Sequence, residues 1–307
     1  MLPRIVERKW WYFLLSGLLI VPGLFFLLVL HGLKPGIEFQ GGTLLDIRFQ
    51  STQPIAEVRD IMIANGHPEA VVQGSEGNRV LVRAIEMKPE EIATIQQRLS
   101  THFAGELIDI TPSAVSPSFS TELLRNAFLS IAAASGLIVL LIAFAFRSFG
   151  WNAFVYGFAA VVALLHDALV VVGLWAILGY FFNLEVDSLF ITALLTIIGF
   201  SVHDTIVVFD RIRENLRLNP GEPLNPVINF SIMQTIARSV NTSLTVLLTL
   251  LALFLFGGFS IRNFALALLV GIISGTYSSI FNASQLVSLW AEIRDRWRQR
   301  GVRSATA

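Results

Sequence analysis

Apolar runs long enough to cross a bilayer recur along this chain, separated by short polar links, and one stretch near the beginning breaks the pattern. Trp10 to Leu30 is apolar for about twenty residues, the helix length that a hydrocarbon core of roughly 30 Å demands, and it follows Arg4, Arg8 and Lys9. The run exceeds a secretory h-region, has no small-residue cleavage site, carries Pro22 and leads into His31, so it predicts an uncleaved first span. Further spans are predicted at Ala127 to Phe146, Phe154 to Leu178, Leu189 to Phe209, Ser239 to Phe256 and Phe264 to Trp290.

Between the first two spans, residues 33–120 carry acids, bases and turn residues at the density of a water-soluble domain. Thr43 to Phe49 alternates, with Leu45, Ile47 and Phe49 opposite Asp46 and Arg48, as a strand with one buried face does. Pro54 to Asn65 places Ile55, Val58 and Met62 on one helical face and stops at Gly66. The short runs Ala70 to Gln73 and Arg79 to Ile85 flank a turn at Gly74 to Asn78. Pro89, Glu90 and Glu91 suit the first turn of a second helix with the stripe Ile92, Ile95, Leu99 and Phe103, and Glu106 to Ile110 is a last strand. The order βαββαβ predicts a ferredoxin-like layer of sheet and helices. The chain therefore reads as an α-helical polytopic membrane protein: an N-terminal segment 1–9, a first span 10–32, a small α+β domain 33–120, five spans within 121–290 and a basic tail 291–307.

Composition agrees with the pattern. Of 307 residues, 54% are hydrophobic and 14% charged, where soluble chains run near a quarter charged. The 22 basic and 22 acidic residues cancel, which argues against a nucleic-acid partner, and the lack of cysteine removes disulfides, thiolate metal sites and cysteine nucleophiles. Basic residues gather after the second span (Arg147), the fourth (Arg211, Arg213, Arg217) and the sixth (Arg294, Arg296, Arg298, Arg300, Arg303). By the positive-inside rule those ends and both termini face the cytoplasm, and the α+β domain faces the outer, periplasmic side. Gly271 and Gly275 form a small-xxx-small pair in the sixth span that can admit a neighbouring helix.

A charge within hydrocarbon costs a few kcal/mol even on lenient scales, so ionisable residues inside spans are candidates for function. Asp167 lies near the centre of the third span beside His166; Asp204 lies in the fourth beside His203; Arg238 opens the apolar part of the fifth. Spans four and five run antiparallel, which puts Asp204 and Arg238 in the same cytoplasmic third, where they can meet. Desolvation favours the protonated acid and a guanidinium the ionised one, so a pair that opens and closes is a proton switch. The plainer alternative is a permanent ion pair that orients two helices. Asp167 has three open readings: a relay, a cation ligand, or a hydrogen-bonded helix contact. His203 precedes Asp204 by about 100° around the helix and is expected on a different face, either as a group that receives the proton on its way out or as a packed hydrogen-bond donor. No zinc-protease, phosphate-loop or nucleophile-elbow motif is present, and the residues flanking the aspartates are wrong for an intramembrane aspartyl protease. The expectation is no catalytic residue, no metal site and no cofactor beyond a coupling ion, H⁺ or Na⁺.

Four segments carry a resemblance: Gly36-Ile37-Glu38-Phe39-Gln40-Gly41-Gly42-Thr43; Ala163-Leu164-Leu165-His166-Asp167; Ile198 to Asn215, including Gly199-Phe200-Ser201-Val202-His203-Asp204-Thr205; and Gly275-Thr276-Tyr277-Ser278-Ser279-Ile280-Phe281-Asn282. The chain resembles the SecD/SecF family of protein-export membrane proteins from its first span to its last. The resemblance implies one six-span half of a permease of the resistance-nodulation-division type, with the related subunit SecD as partner. It further implies work with the SecYEG channel, after the motor SecA, on unfolded exported polypeptide at the cytoplasmic (inner) membrane of a bacterium, driven by the ion gradient. It also implies that Asp204 and Arg238 belong to the ion path, and that Gly36, Glu38, Gly41 and Gly42 form the motif after the first span. His203 stands where such proteins commonly have Asn, and Glu38 where Asp is more usual. A subunit that organises the translocase in the membrane lipid without conducting ions is the alternative.

Overall fold

A computed structural model describes residues 5–50, 54–75, 77–147 and 151–305. The chain falls into two compact units, Pro35–Leu129 and the combination of Met1–Lys34 with Ser130–Ala307. Its elements run α1 (Lys9–Leu28), β1 (Lys34–Pro35), α2 (Ile37–Gln40), β2 (Gly42–Phe49), α3 (Ile55–Ala64), β3 (Val71–Ser75), β4 (Arg79–Ala84), α4 (Pro89–His102), β5 (Leu107–Val115), α5 (Pro117–Phe146), α6 (Trp151–Phe182), β6 (Glu185–Val186), α7 (Ser188–Leu218), α8 (Leu224–Phe256), α9 (Phe259–Tyr277), a π-helical turn (Ser278–Ala283) and α10 (Ser284–Ala305).

The first unit is the predicted βαββαβ layer. Its strand order is β3-β4-β2-β5, the ferredoxin-like arrangement, with Ile47 opposite both Val80 and Ile110. Every second residue of β2 points inward, so Leu45, Ile47 and Phe49 are buried with Val80 and Val82 of β4. The helices close the same face through Val58 and Met62 of α3 and Ile95 and Leu99 of α4. On the open face Arg79 donates to Asp46 from both Nε and Nη2. Glu91 accepts from the Lys88 backbone N–H at 3.0 Å and Pro89 takes the first helical position, which fixes where α4 begins. The last strand continues past Ile110 to Val115 because its outer half pairs with β2 from Gly42 onward.

Among the described residues six helical stretches are long and apolar enough to cross a membrane: Val6–Leu28, Ser118–Ala145, Phe154–Phe182, Ser188–Leu218, Leu224–Phe256 and Ile261–Arg294; all but the first part of the second lie in the unit made of Met1–Lys34 and Ser130–Ala307. Helices α6, α7 and α9 are the most buried of these, whereas α1, α5 and α8 expose most of their surface within this chain. Glycines set the closest crossings. A Cβ on Gly173 would lie 2.8 Å from the Gly23 Cα, so α1 and α6 meet backbone to backbone. A Cβ on Gly271 would strike the Ile197 side chain, and one on Gly275 would lie 3.0 Å from the Ser201 Cβ, so α9 is drawn onto α7. Asp187 caps α7 by accepting from the Phe190 N–H at 2.7 Å.

The sixth span differs from the expected single helix. At Ser278–Ala283 it widens into a π turn, and Ser284 Oγ accordingly reaches back to the carbonyls of both Ile280 (3.0 Å) and Ser279 (3.4 Å). The widening turns Ser278, Ser279 and Asn282 into the bundle, where all three are buried. Hydrogen bonds, not hydrophobicity, decide this geometry, so the apolar pattern did not carry it.

Backbone contact at Gly173 leaves no room for a side chain, and overpacking costs about 1–3 kcal/mol even where side chains can adjust. We expect Gly173→Leu to lower the thermal unfolding midpoint of the purified chain in detergent by several degrees. Gly136→Leu, at a position with nothing within 4 Å, should leave it unchanged.

Candidate functional site

Asp167 is fully buried, and three serine hydroxyls and the His166 ring converge on its carboxyl group. Oδ1 accepts from Ser274 Oγ at 2.7 Å and lies 3.0 Å from His166 Nδ1. Oδ2 accepts from Ser201 Oγ at 2.5 Å and from Ser278 Oγ at 2.7 Å. These groups come from α6, α7, α9 and the π turn, so one carboxyl group ties together the whole interior. Asp167 makes the hydrogen-bonded helix contact that is one of its three readings, elaborated into a hub.

Two polar chains extend from the hub. Toward α1, His166 Nε2 lies 3.0 Å from Ser16 Oγ, which also accepts from Asn282 Nδ2 at 2.8 Å and lies 3.4 Å from the Tyr277 hydroxyl. Tyr277 in turn donates to the Tyr12 carbonyl at 2.7 Å. Along α7, Ser279 Oγ donates to the Ser201 carbonyl at 3.0 Å and lies 2.8 Å from Thr205 Oγ1. The residues of this network other than His166 and Asp167 are hydroxyls and an amide, types that single out nothing in a sequence. Their signal is position: Ser274, Ser278 and Asn282 recur at intervals of four within an apolar span, a polar stripe on one helical face.

Asp204 sits one turn further along α7 and is also buried, at 2% exposure. Its Oδ2 has no hydrogen-bond partner. Ser243 of α8 lies beside the carboxyl, and Ser243 Oγ is 2.6 Å from Thr276 Oγ1 of α9. The expected meeting with Arg238 is not a bond here. Among the described residues the one cation-forming group within ion-pair distance of Asp204 is His203, with Nδ1 at 3.8 Å from Oδ1. Arg238 is exposed on the surface of α8 and acts on Asp204 through space. Antiparallel depth matched the two residues in height, but the rotation of α8 about its axis points the guanidinium outward while Ser239 and Ser243 face in. His203, expected on another face, is largely exposed, yet its ring bends back to its neighbour. The two acids thus differ in kind: both oxygens of Asp167 accept from serines, whereas Asp204 Oδ2 has no hydrogen-bond partner.

The motif after the first span belongs to the α+β unit. Gly36 precedes the one-turn helix α2, which holds Glu38 in its first turn. Gly41 and Gly42 follow with φ of 76° and 120°, a backbone that favours glycine, and a Cβ on Gly42 would strike the Ala84 carbonyl of the adjacent strand. Both glycines are needed to turn the chain directly into β2.

Residues 95–293 match the family described as "Protein export membrane protein SecD/SecF, C-terminal", and residues 26–53 match "SecD/SecF GG Motif". The protein translocase subunit SecF of Thermobaculum terrenum is 48% identical over 298 residues, covering 93% of this chain and 93% of that protein. The protein translocase subunit SecDF of Thermus thermophilus is 38% identical over 268 residues, which cover 86% of this chain but 35% of the longer one. The crystal structure of SecDF from the same organism superposes with a TM-score of 0.82 at 35% identity, over 94% of this chain and 38% of that one.

A hydrogen bond to a charged group contributes about 1.5–3 kcal/mol, so Ser274→Ala and Ser278→Ala should each destabilise the purified chain by that order. Because both serve one carboxylate, a double-mutant cycle on thermal unfolding should show coupling of at least about 0.5 kcal/mol. Thr249→Val, an exposed hydroxyl that bonds only its own helix, is the neutral control.

Proposed function

Since the chain belongs to the SecD/SecF family of protein-export membrane proteins, and has its role in Sec protein export, we propose that it is an ion-driven part of that machinery. In this reading it pairs with SecD as the second half of a permease-like core in the cytoplasmic membrane of a bacterium. Its termini face the cytoplasm, its α+β domain faces outward, and the pair acts beside SecYEG on polypeptide that SecA has delivered. The fusion of SecD and SecF into one SecDF chain in Thermus thermophilus supports the pairing.

The observation that carries the proposal is Asp204. A buried carboxyl with an unpartnered oxygen, whose guanidinium neighbour stands off on an exposed helix surface, is set up to change its proton occupancy rather than to hold a fixed pair. Proton uptake neutralises it; proton loss draws Arg238 toward it. Movement of α8 against α7 between those two arrangements is the two-state element. Each proton crossing about 100 mV and one pH unit releases roughly 2.3 plus 1.4 kcal/mol, enough to bias such an equilibrium several hundred-fold. His203, beside the carboxyl and exposed, is the group through which the proton leaves.

Proteoliposomes that contain this chain, SecD, SecYEG and SecA test the reading under an imposed proton gradient. Asp204→Asn should reduce gradient-stimulated release of exported polypeptide to the level without a gradient, and Arg238→Gln should do the same. Unimpaired stimulation in Asp204→Asn overturns the proposal. An absence of ion flux through the wild-type pair at every pH leaves the passive assembly subunit.

A further inference from the structure

The proposed cycle uses Asp204 and leaves the other buried acid idle, although Asp167 sits deeper in the interior and has a histidine against it. Charge accounting there is incomplete with neutral groups alone. Asp167 is fully buried, and among the described residues the one group within ion-pair distance that can carry positive charge is His166, itself buried. From α1 the neighbours are Ser16 and Tyr12; from α7, Ser201; from α9 and the π turn, Ser274, Tyr277, Ser278 and Asn282. None of these is a cation. An anion buried without a counter-charge in the middle of a span costs several kcal/mol, and a proton is the available counter-charge.

The hydrogen-bond geometry says where that proton goes. Ser201, Ser274 and Ser278 donate to the Asp167 carboxylate and His166 Nδ1 lies against Oδ1; with that nitrogen donating, Nε2 of His166 is the position left for a further proton. Its neighbour there, Ser16, satisfies either state. With His166 neutral, Ser16 donates to Nε2 and accepts from Asn282 Nδ2. With His166 charged, Nε2–H donates to Ser16, which still accepts from Asn282 and turns its own proton to the Tyr277 oxygen; Tyr277 keeps donating to the Tyr12 carbonyl throughout. Rotation of a single hydroxyl thus accommodates gain or loss of one proton on His166.

We propose that His166 and Asp167, capped by Ser16, form a second proton-binding site, distinct from Asp204, that holds one proton on His166 Nε2 as an imidazolium–carboxylate pair. It rests on the hub geometry and not on the reading of Asp204, so either can fail alone.

Nitrogen-15 NMR of the histidine-labelled full chain in lipid nanodiscs tests it, with His166→Gln used to assign the signal. The His166 Nε2 resonance should move between its neutral and protonated positions as the pH is varied, and Asp204→Asn should leave that transition where it is. Ser16→Ala removes the acceptor for Nε2–H while keeping Asp167, so about ten-fold more acid should be needed for half-protonation. Asp167→Asn should raise the requirement further, and Ser16→Ala carries the test if that variant does not fold. A His166 signal fixed in one tautomer at every pH where the protein is folded overturns the proposal, as does a Ser16→Ala transition identical to the wild type.

Discussion

A carboxylate placed in hydrocarbon must have its oxygens filled by donors, and the interior of this bundle is organised around that requirement. Asp167 draws Ser201, Ser274 and Ser278 onto itself, and those serines bring α7, α9 and the π turn into register with α6. Apolar helix surfaces slide past one another at little cost in a membrane, where no hydrophobic effect separates helix from lipid. Directional bonds to one anion remove that freedom. The glycines complete the effect: with no side chain at Gly271 and Gly275, α9 comes close enough to α7 for its serines to reach.

Helix α7 then serves two acids at once. Ser201 and Thr205 lie roughly 40° apart on the helix and face the hub, whereas Asp204 lies about 60° to the other side and turns toward Ser243 of α8. The hub therefore holds α7 in a fixed rotation from which Asp204 looks across a less constrained boundary. Helix α8 exposes most of its surface and has few buried polar ties in its apolar half. A stiff side and a yielding side on one helix is the arrangement a switch requires, since a residue can exchange partners only if one partner is able to move while the other stays.

Much of the architecture is legible in the amino-acid sequence. The six spans follow from run length, and the α+β unit from the change of period between two and 3.6 at Thr43 to Phe49 and Pro54 to Asn65, because burial against one face writes itself into every second or every third to fourth residue. Asp204 and Asp167 stood out because charge is rare in a span. Asp167 was the less readable of the two, since its role depends on serines drawn from two other spans, and serine in an apolar helix is too common to mark a site. The pairing of Asp204 with Arg238 rested on depth alone; the rotation of α8 that turns Arg238 outward depends on which neighbours α8 packs against, and span boundaries do not contain that information.

What the amino-acid sequence determined by itself was therefore everything set by local periodicity and by the cost of moving groups out of water: the number of spans, the topology of the α+β unit, and the identity of the few residues that lipid does not tolerate unaided. What the tertiary structure alone decided was partnership. Which hydroxyls close on Asp167, where the sixth span widens into a π turn, and which oxygen of Asp204 is left over are settled by distances of a few tenths of an ångström between helices far apart in the chain, and a hydrogen bond, unlike a hydrophobic contact, exists or fails on that scale.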